Sequence, residues 1–108
     1  MYTNANSAVI GKGARFFTCS LTDENSGKTY ELNVKEPKLR TYKEFMKIQK
    51  TSSLDDIIAL VADILKSNKE NVDITAEFVE NSFTSAEILA FFEDFAAWLS
   101  ATRSNDPN

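Results

Sequence analysis

The alternation of apolar and polar residues near the start of the chain predicts two β-strands. In ARFFTCSL, the apolar residues Phe17, Cys19 and Leu21 alternate with polar ones, and KTYELNVK repeats the alternation. The turn-forming segment TDENSG separates the two runs, so we expect them to pair as a β-hairpin over residues 14–35 with one apolar face. A lone hairpin is only marginally stable in water, so this face must pack against helices.

Helical periodicity of the apolar residues covers most of the remaining chain. Four helices are predicted, at about residues 37–50, 53–67, 74–81 and 85–102. Pro37 suits the first turn of the first helix. A Thr-Ser-Ser segment that ends at Ser53 interrupts the pattern and offers an N-cap for the second helix. Asp55 and Asp56 then fall in its first turn, where the helix dipole favours acidic side chains.

The start of the last helix has the clearest sequence signal. Thr84 and Glu87 form a capping box, in which the Thr84 hydroxyl accepts from the Glu87 backbone N–H and the Glu87 carboxylate reaches back. Phe83 and Ile88 occupy the two hydrophobic-staple positions that flank this box. Such a cap contributes about 1 kcal/mol to stability.

Together these elements predict an α+β fold, in which an N-terminal β-hairpin is followed by a small bundle of three to four α-helices. The chain has 108 residues, which suits a single domain, here at 14–103. Residues 1–13 are small and polar and are expected to form a flexible arm, although Val9 and Ile10 could add a short edge strand. Residues 104–108 predict a polar tail.

The apolar face of the last helix is wider than a single core requires. A helix that faces one core needs an apolar arc of about 100°, and this helix has more, with four large aromatic residues. Either these residues form the core of a small domain, or part of the face binds another subunit or an apolar helix of a partner. The interface candidates are Phe91, Phe92, Phe95, Trp98 and Leu99.

Composition limits the chemistry that the chain can perform. It has no histidine and one cysteine, which excludes Ser-His-Asp and Cys-His catalysis, an internal disulfide and a Cys/His zinc site. Cys19 falls on the apolar face of a strand and is expected in the core. No apolar stretch is long enough to span a membrane. We therefore expect a soluble protein of a reducing compartment, with no enzyme activity, cofactor or metal.

The formal net charge of −4 conceals two halves of opposite sign. Residues 1–50 carry nine basic and five acidic side chains, whereas residues 51–108 carry three basic and eleven acidic ones. Four basic residues of the first helix follow each other in steps of three or four and so share one helix face. This face is either an ordinary solvated surface or an electrostatic interface for phosphates or an acidic protein. Its residues are Arg40, Lys43, Lys47 and Lys50.

The order of these parts resembles a known family. A hairpin and a basic amphipathic helix lead to LDDIIALVADIL, then to DITAEFVENSFTSAEILAFFEDFAAWL and a polar SNDPN end. Over residues 14–108 this order resembles the small tail assembly chaperones of long-tailed (siphovirus-type) bacteriophages and prophages, especially those of Gram-positive hosts. The resemblance rests on element order, helical pattern and the tail.

This resemblance implies a function in the cytoplasm of the bacterial host rather than in the mature virion. Proteins of that family bind the long, helix-rich tape measure protein before tail tube subunits polymerise around it, and they tend to self-associate. A longer form made by frameshifting commonly recruits the tube protein, and this chain resembles the short form. Two alternatives stay open: a small homo-oligomeric adaptor or regulator, and a weak nucleic-acid-binding module that uses the basic helix.

Overall fold

The computed structural model describes residues 1–4, 16–48 and 52–104, with side chains up to Ala101. A three-stranded antiparallel sheet of order β1-β2-β3 precedes four helices. The elements are β1 (Tyr2–Asn4), β2 (Phe17–Thr22), β3 (Thr29–Val34), α1 (Leu39–Lys47), α2 (Leu54–Lys66), α3 (Ala76–Ser82) and α4 (Ser85–Ser104). The α+β class expected from the sequence is confirmed.

Strands β2 and β3 form the expected hairpin. Cys19 pairs with Leu32 in the register, and both side chains lie in the core, as the alternation predicted. The turn is held by Asp23, whose carboxylate accepts a hydrogen bond of 2.8 Å from the Asn25 backbone N–H. Gly27 has a φ of +75°, a left-handed conformation that favours glycine. Local turn chemistry thus fixes the register of the hairpin.

Strand β1 was not expected, because residues 1–13 were predicted to be a flexible arm. Tyr2 pairs with Leu21, so residues 2–4 add a third strand beside β2 and the arm prediction is wrong for them. The physical reason is the burial of the Tyr2 ring, which stacks on Phe83 at 5.3 Å between centroids and meets the Phe91 ring edge-on at 5.6 Å. The edge strand considered at Val9-Ile10 lies outside the described residues.

The helix boundaries differ from the expected ones by at most three residues: α4 begins at Ser85 as expected, whereas Pro37 lies two residues before α1 rather than in its first turn. Helix α1 runs from Leu39 to Lys47 and has no side-chain N-cap. In α2, Ser53 accepts a hydrogen bond of 3.1 Å from the Asp56 backbone N–H, which confirms the predicted cap. The capping box of α4 is also confirmed, with Thr84 and Glu87 exchanging hydrogen bonds of 3.0 and 3.1 Å.

The core lies between the sheet, α2 and α4. Phe17 of β2 is fully buried, and its ring meets the rings of Phe91 and Phe95 at 5.6 and 5.3 Å between centroids. Trp98 continues this row one turn further along α4, at 6.0 Å from the Phe17 ring. Since aromatic pairs in such edge-on arrangements add to area burial, this row fixes α4 against the sheet.

The segment between α2 and α3 covers the outer edge of β3. Asn68 is buried, and its amide donates to the carbonyls of Leu65 and Val72 at 2.7 and 2.8 Å. Its side-chain oxygen accepts from the Val72 backbone N–H at 2.8 Å. The loop then pairs with the strand, because the Lys69 backbone N–H donates to the Asn33 carbonyl at 2.9 Å. The loop thus hydrogen-bonds backbone groups at the edge of β3 that could otherwise pair with another strand.

Candidate functional site

Most of the aromatic residues that were candidates for an interface lie in the core of this chain. Phe91, Phe95, Trp98 and Leu99 are each no more than 6% exposed. They pack on the sheet because α4 crosses it with this side inward, so they are not surface anchors. Of the five candidates, only Phe92 is partly exposed rather than buried. For the other four candidates, the interpretation that they form the core of the domain therefore holds.

Phe92 borders an apolar groove between α1, α2 and α4, which we call the α1–α4 groove. The groove has a volume of about 690 Å³. Its lining is apolar apart from one carboxylate. The lining residues are Phe45, Met46, Ile48, Ile57, Leu89, Phe92, Glu93 and Ala96. An exposed apolar surface of this kind, with charged residues beside it, is typical of a protein-binding site.

The position of α1 creates this groove. No residue of α1 is fully buried, and the helix contacts the core through Phe45, whose ring lies 5.6 Å from that of Phe92 and 5.5 Å from that of Phe95. Met46 follows on the outer side and is 62% exposed, while Leu89 on α4 is 63% exposed. Two large apolar side chains thus line the groove from opposite helices and remain in contact with water.

The predicted electrostatic interface lies on α1 beside the groove. Arg40, Lys43 and Lys47 are all exposed, and none of the three forms an ion pair with another described residue. Lys50, the fourth member, lies outside the described residues. Arg40 also borders a polar pocket together with Glu44 and Asp63. The basic surface therefore faces solvent on one side of α1 and an acidic surface of α2 on the other.

The titratable groups inside the fold have structural roles. Burial, with a smaller effect of Glu70, raises the pKa of the Cys19 thiol to about 12, so this thiol stays protonated and unreactive. Burial and the hydrogen bond to Asp94 likewise raise the pKa of Tyr2. Among the described residues, no three His, Cys, Asp or Glu side chains are placed to hold a metal ion.

Sequence reasoning identified parts of this site without its geometry. It named Phe92 as an interface candidate on the wide apolar face of the last helix, and Lys43 and Lys47 on the basic face of the first. It did not bring these two helices together, nor did it include Ile57 of α2. The sequence signal for the groove was the width of the apolar arc of the last helix, because an apolar arc wider than one core can cover must contact something else.

Comparisons of the chain with protein-family models, curated proteins and solved structures find no match. Within the described part of the chain, no helix combines the length and the apolar character needed to cross a membrane. The α1–α4 groove and the resemblance of the sequence pattern are thus the two bases for assigning a function.

Proposed function

We propose that this protein is a tail assembly chaperone of a long-tailed bacteriophage or prophage, which binds the tape measure protein in the host cytoplasm and keeps it soluble until the tail tube forms. The α1–α4 groove would hold an apolar stripe of a tape measure helix. The proposal combines the resemblance of residues 14–108 to that family with a surface suited to helix-in-groove binding.

The observation that carries the proposal is the pair of exposed apolar side chains on opposite walls of the groove. Met46 and Leu89 are both more than 60% exposed, and the partly exposed Phe92 lines the same groove. An amphipathic helix placed in the groove would remove these side chains from water, and each fully buried side chain of this size is worth about 1.5–3 kcal/mol. Many weak contacts along one long helical polymer would add up to stable coating.

Co-expression with the tape measure protein of the same genome tests the proposal. We expect the tape measure protein to be soluble with the unmodified chain and insoluble without it. The variant Leu89→Asp should abolish the effect, because a carboxylate in the groove would have to be desolvated. The matched control is Leu54→Asp, since Leu54 is 61% exposed on α2 and does not line the groove.

Two results would contradict the proposal. One is a tape measure protein that is equally soluble with and without this chain. The other is an equal loss of activity in Leu89→Asp and Leu54→Asp, because the groove would then have no specific role. Both substitutions change exposed positions, so each variant should keep the unfolding free energy of the unmodified chain to within about 0.5 kcal/mol.

A second candidate function is that of a small homo-oligomeric adaptor, in which the same groove binds another copy of the chain. The exposure of Met46 and Leu89 supports this function as well. Size-exclusion chromatography with light scattering separates the two. A stable dimer that Leu89→Asp dissociates, together with no effect on the tape measure protein, would favour the adaptor.

A further inference from the structure

We propose that the partner helix in the α1–α4 groove carries carboxylates along the edge that lies against α1. This inference rests on the function proposed above and specifies the chemistry of the partner. Exposed lysines of α1 lie beside the groove, outside its lining, and one carboxylate lines it on α4, so a helix in the groove is recognised by the side on which its own charges lie.

The surface of α1 beside the groove is positive. Lys43 precedes Met46 by three residues, a spacing that makes the two side chains neighbours on the helix surface. Lys43 is exposed and makes no ion pair with another described residue. Lys47 follows Lys43 by four residues, so it is a neighbour of Lys43 on the helix surface, and it is also exposed. A helix that covers Met46 would therefore bring its adjacent edge close to the Lys43 ammonium group, with Lys47 beyond it.

The wall on α4 is negative. Glu93 lines the groove and follows Leu89 by four residues, so the two side chains are neighbours on α4. Glu93 is exposed, and its carboxylate is the one charged group in the groove lining. An acidic edge of a partner helix would be repelled by Glu93 on α4 and attracted by the lysines of α1.

Acidic residues near α1 determine which of its basic side chains can bind carboxylates of a partner. Glu44 and Asp63 border a pocket with Arg40 and a second one with Lys47, both on the α2 side of α1. Lys43 borders neither pocket. Lys43 is thus the main determinant of the proposed specificity, and Lys47 contributes less because, like Arg40, it borders acids of this chain.

Three synthetic helical peptides test the inference. Each has 20 residues, an alanine-rich background and the same leucine stripe, and they differ only in three positions along one edge, which are Glu, Gln or Lys. A length above about 15 residues keeps such peptides helical. Because exposed ion pairs are each worth a modest factor, we expect the Glu peptide to bind about threefold to tenfold more tightly than the Gln peptide at low salt, with the difference shrinking as salt is added.

Charge reversal provides the specific variant. In Lys43→Glu/Lys47→Glu, we expect the Glu peptide to bind roughly tenfold more weakly and the Lys peptide to bind more tightly than to the unmodified chain. The control is Lys28→Glu/Lys35→Glu, which makes the same change in net charge at two exposed positions outside the groove. This control should keep the original order of the three peptides. Only a local charge contact predicts an inverted order in one variant and an unchanged order in the other.

The outcomes separate this inference from the proposed function. If all three peptides bind equally, or if both double variants change the order alike, the inference is wrong while the groove remains a helix-binding site. If no peptide binds, and the chain is a dimer that Leu89→Asp dissociates, the groove belongs to a second copy and both proposals fail. If no peptide binds to a monomer, both fail as well.

Discussion

The phenolic hydroxyl of Tyr2 donates a hydrogen bond of 2.9 Å to Oδ2 of Asp94, 92 positions further along the chain. The same ring stacks on Phe83 and meets Phe91 edge-on. Through this one side chain, β1 is joined to α4 by a polar contact and the ring contact with Phe91, and to the residue that ends α3 by the stack on Phe83. The contact ties the first strand to the last helix.

Replacing Tyr2 by Phe should lower the free energy of unfolding by about 1–2 kcal/mol, because the variant keeps the ring contacts and loses a hydrogen bond to a carboxylate. Urea denaturation at pH 7 measures the change. Tyr30→Phe is the matched control, since Tyr30 is partly buried and also has a ring contact, with Phe78 at 5.6 Å. An equal loss in the two variants would contradict a specific role of the Asp94 contact.

The same pair predicts a dependence of stability on alkaline pH. Burial raises the pKa of Tyr2 above its ordinary value, and the hydrogen bond to Asp94 raises it further. The unfolded chain therefore loses this proton first, so stability is fully present below pH 10 and falls as the pH rises above that value. The fall should be shallower in Tyr2→Phe, and the difference in unfolding free energy between the two proteins from pH 8 to pH 11 measures it. Parallel curves would contradict the prediction.

Asn68 should be among the most sensitive polar positions of the chain. Asn68→Ala removes three hydrogen bonds of 2.7–2.8 Å and leaves carbonyl and amide groups of Leu65 and Val72 without these partners. We expect a loss of about 2–4 kcal/mol in the free energy of unfolding. Asn25→Ala, at an exposed turn position, should cost less than about 0.5 kcal/mol. A loss below about 1 kcal/mol for Asn68→Ala would show that water replaces the network.

Glu70 should stabilise the loop only while it is ionised. Its carboxylate accepts from the backbone and side-chain N–H groups of Asn33 at 2.9 and 2.6 Å. Slight desolvation raises its pKa, but the hydrogen bonds from Asn33 outweigh it and the net pKa is lowered. The stabilisation is thus present above its ordinary pKa and lost as pH falls through the lowered value.

Glu70→Gln should cost about 0.5–1 kcal/mol at pH 7, since solvent screens this exposed group, and little at pH 2. A pH-independent difference between the two proteins, measured by thermal unfolding, would contradict this.

The aromatic residues of α4 should divide into two classes. Phe95 is fully buried, so Phe95→Ala should cost about 3–5 kcal/mol. Phe92 is partly exposed in the groove, and Phe92→Ala should cost less than half as much while weakening partner binding. Phe95→Leu keeps most of the volume and provides a folded comparison if Phe95→Ala does not fold. Equal costs for Phe92→Ala and Phe95→Ala would mean that no surface role distinguishes Phe92.

Local signals in the sequence were sufficient for most of the elements. The capping box at Thr84 and Glu87 and the cap at Ser53 depend on residues three apart, and both form as expected. The hairpin followed from alternation on both sides of a turn. These features could be predicted because their energetics involve neighbours in the chain.

Strand β1 and the groove could not be predicted in this way. Three residues are too few for alternation to be recognised, and the reason that they form a strand is the distant pair of rings at Phe83 and Phe91. The groove likewise depends on how α1 lies beside α4. The pattern in α4 indicated an excess of apolar surface, but the division between Phe95 in the core and Phe92 at the surface is a property of tertiary packing.

The hydrogen bond between Tyr2 and Asp94 can form only after the chain has been synthesised as far as Asp94. Ribosomes add roughly 5–20 residues per second, so about 5–20 s pass between the first strand and the helix that covers it. During this interval β2 and β3 have an apolar face with no α4 to shield it. The nascent chain is thus most prone to aggregation just before its last helix emerges, and a slower passage through codons 85–104 would lengthen that vulnerable period.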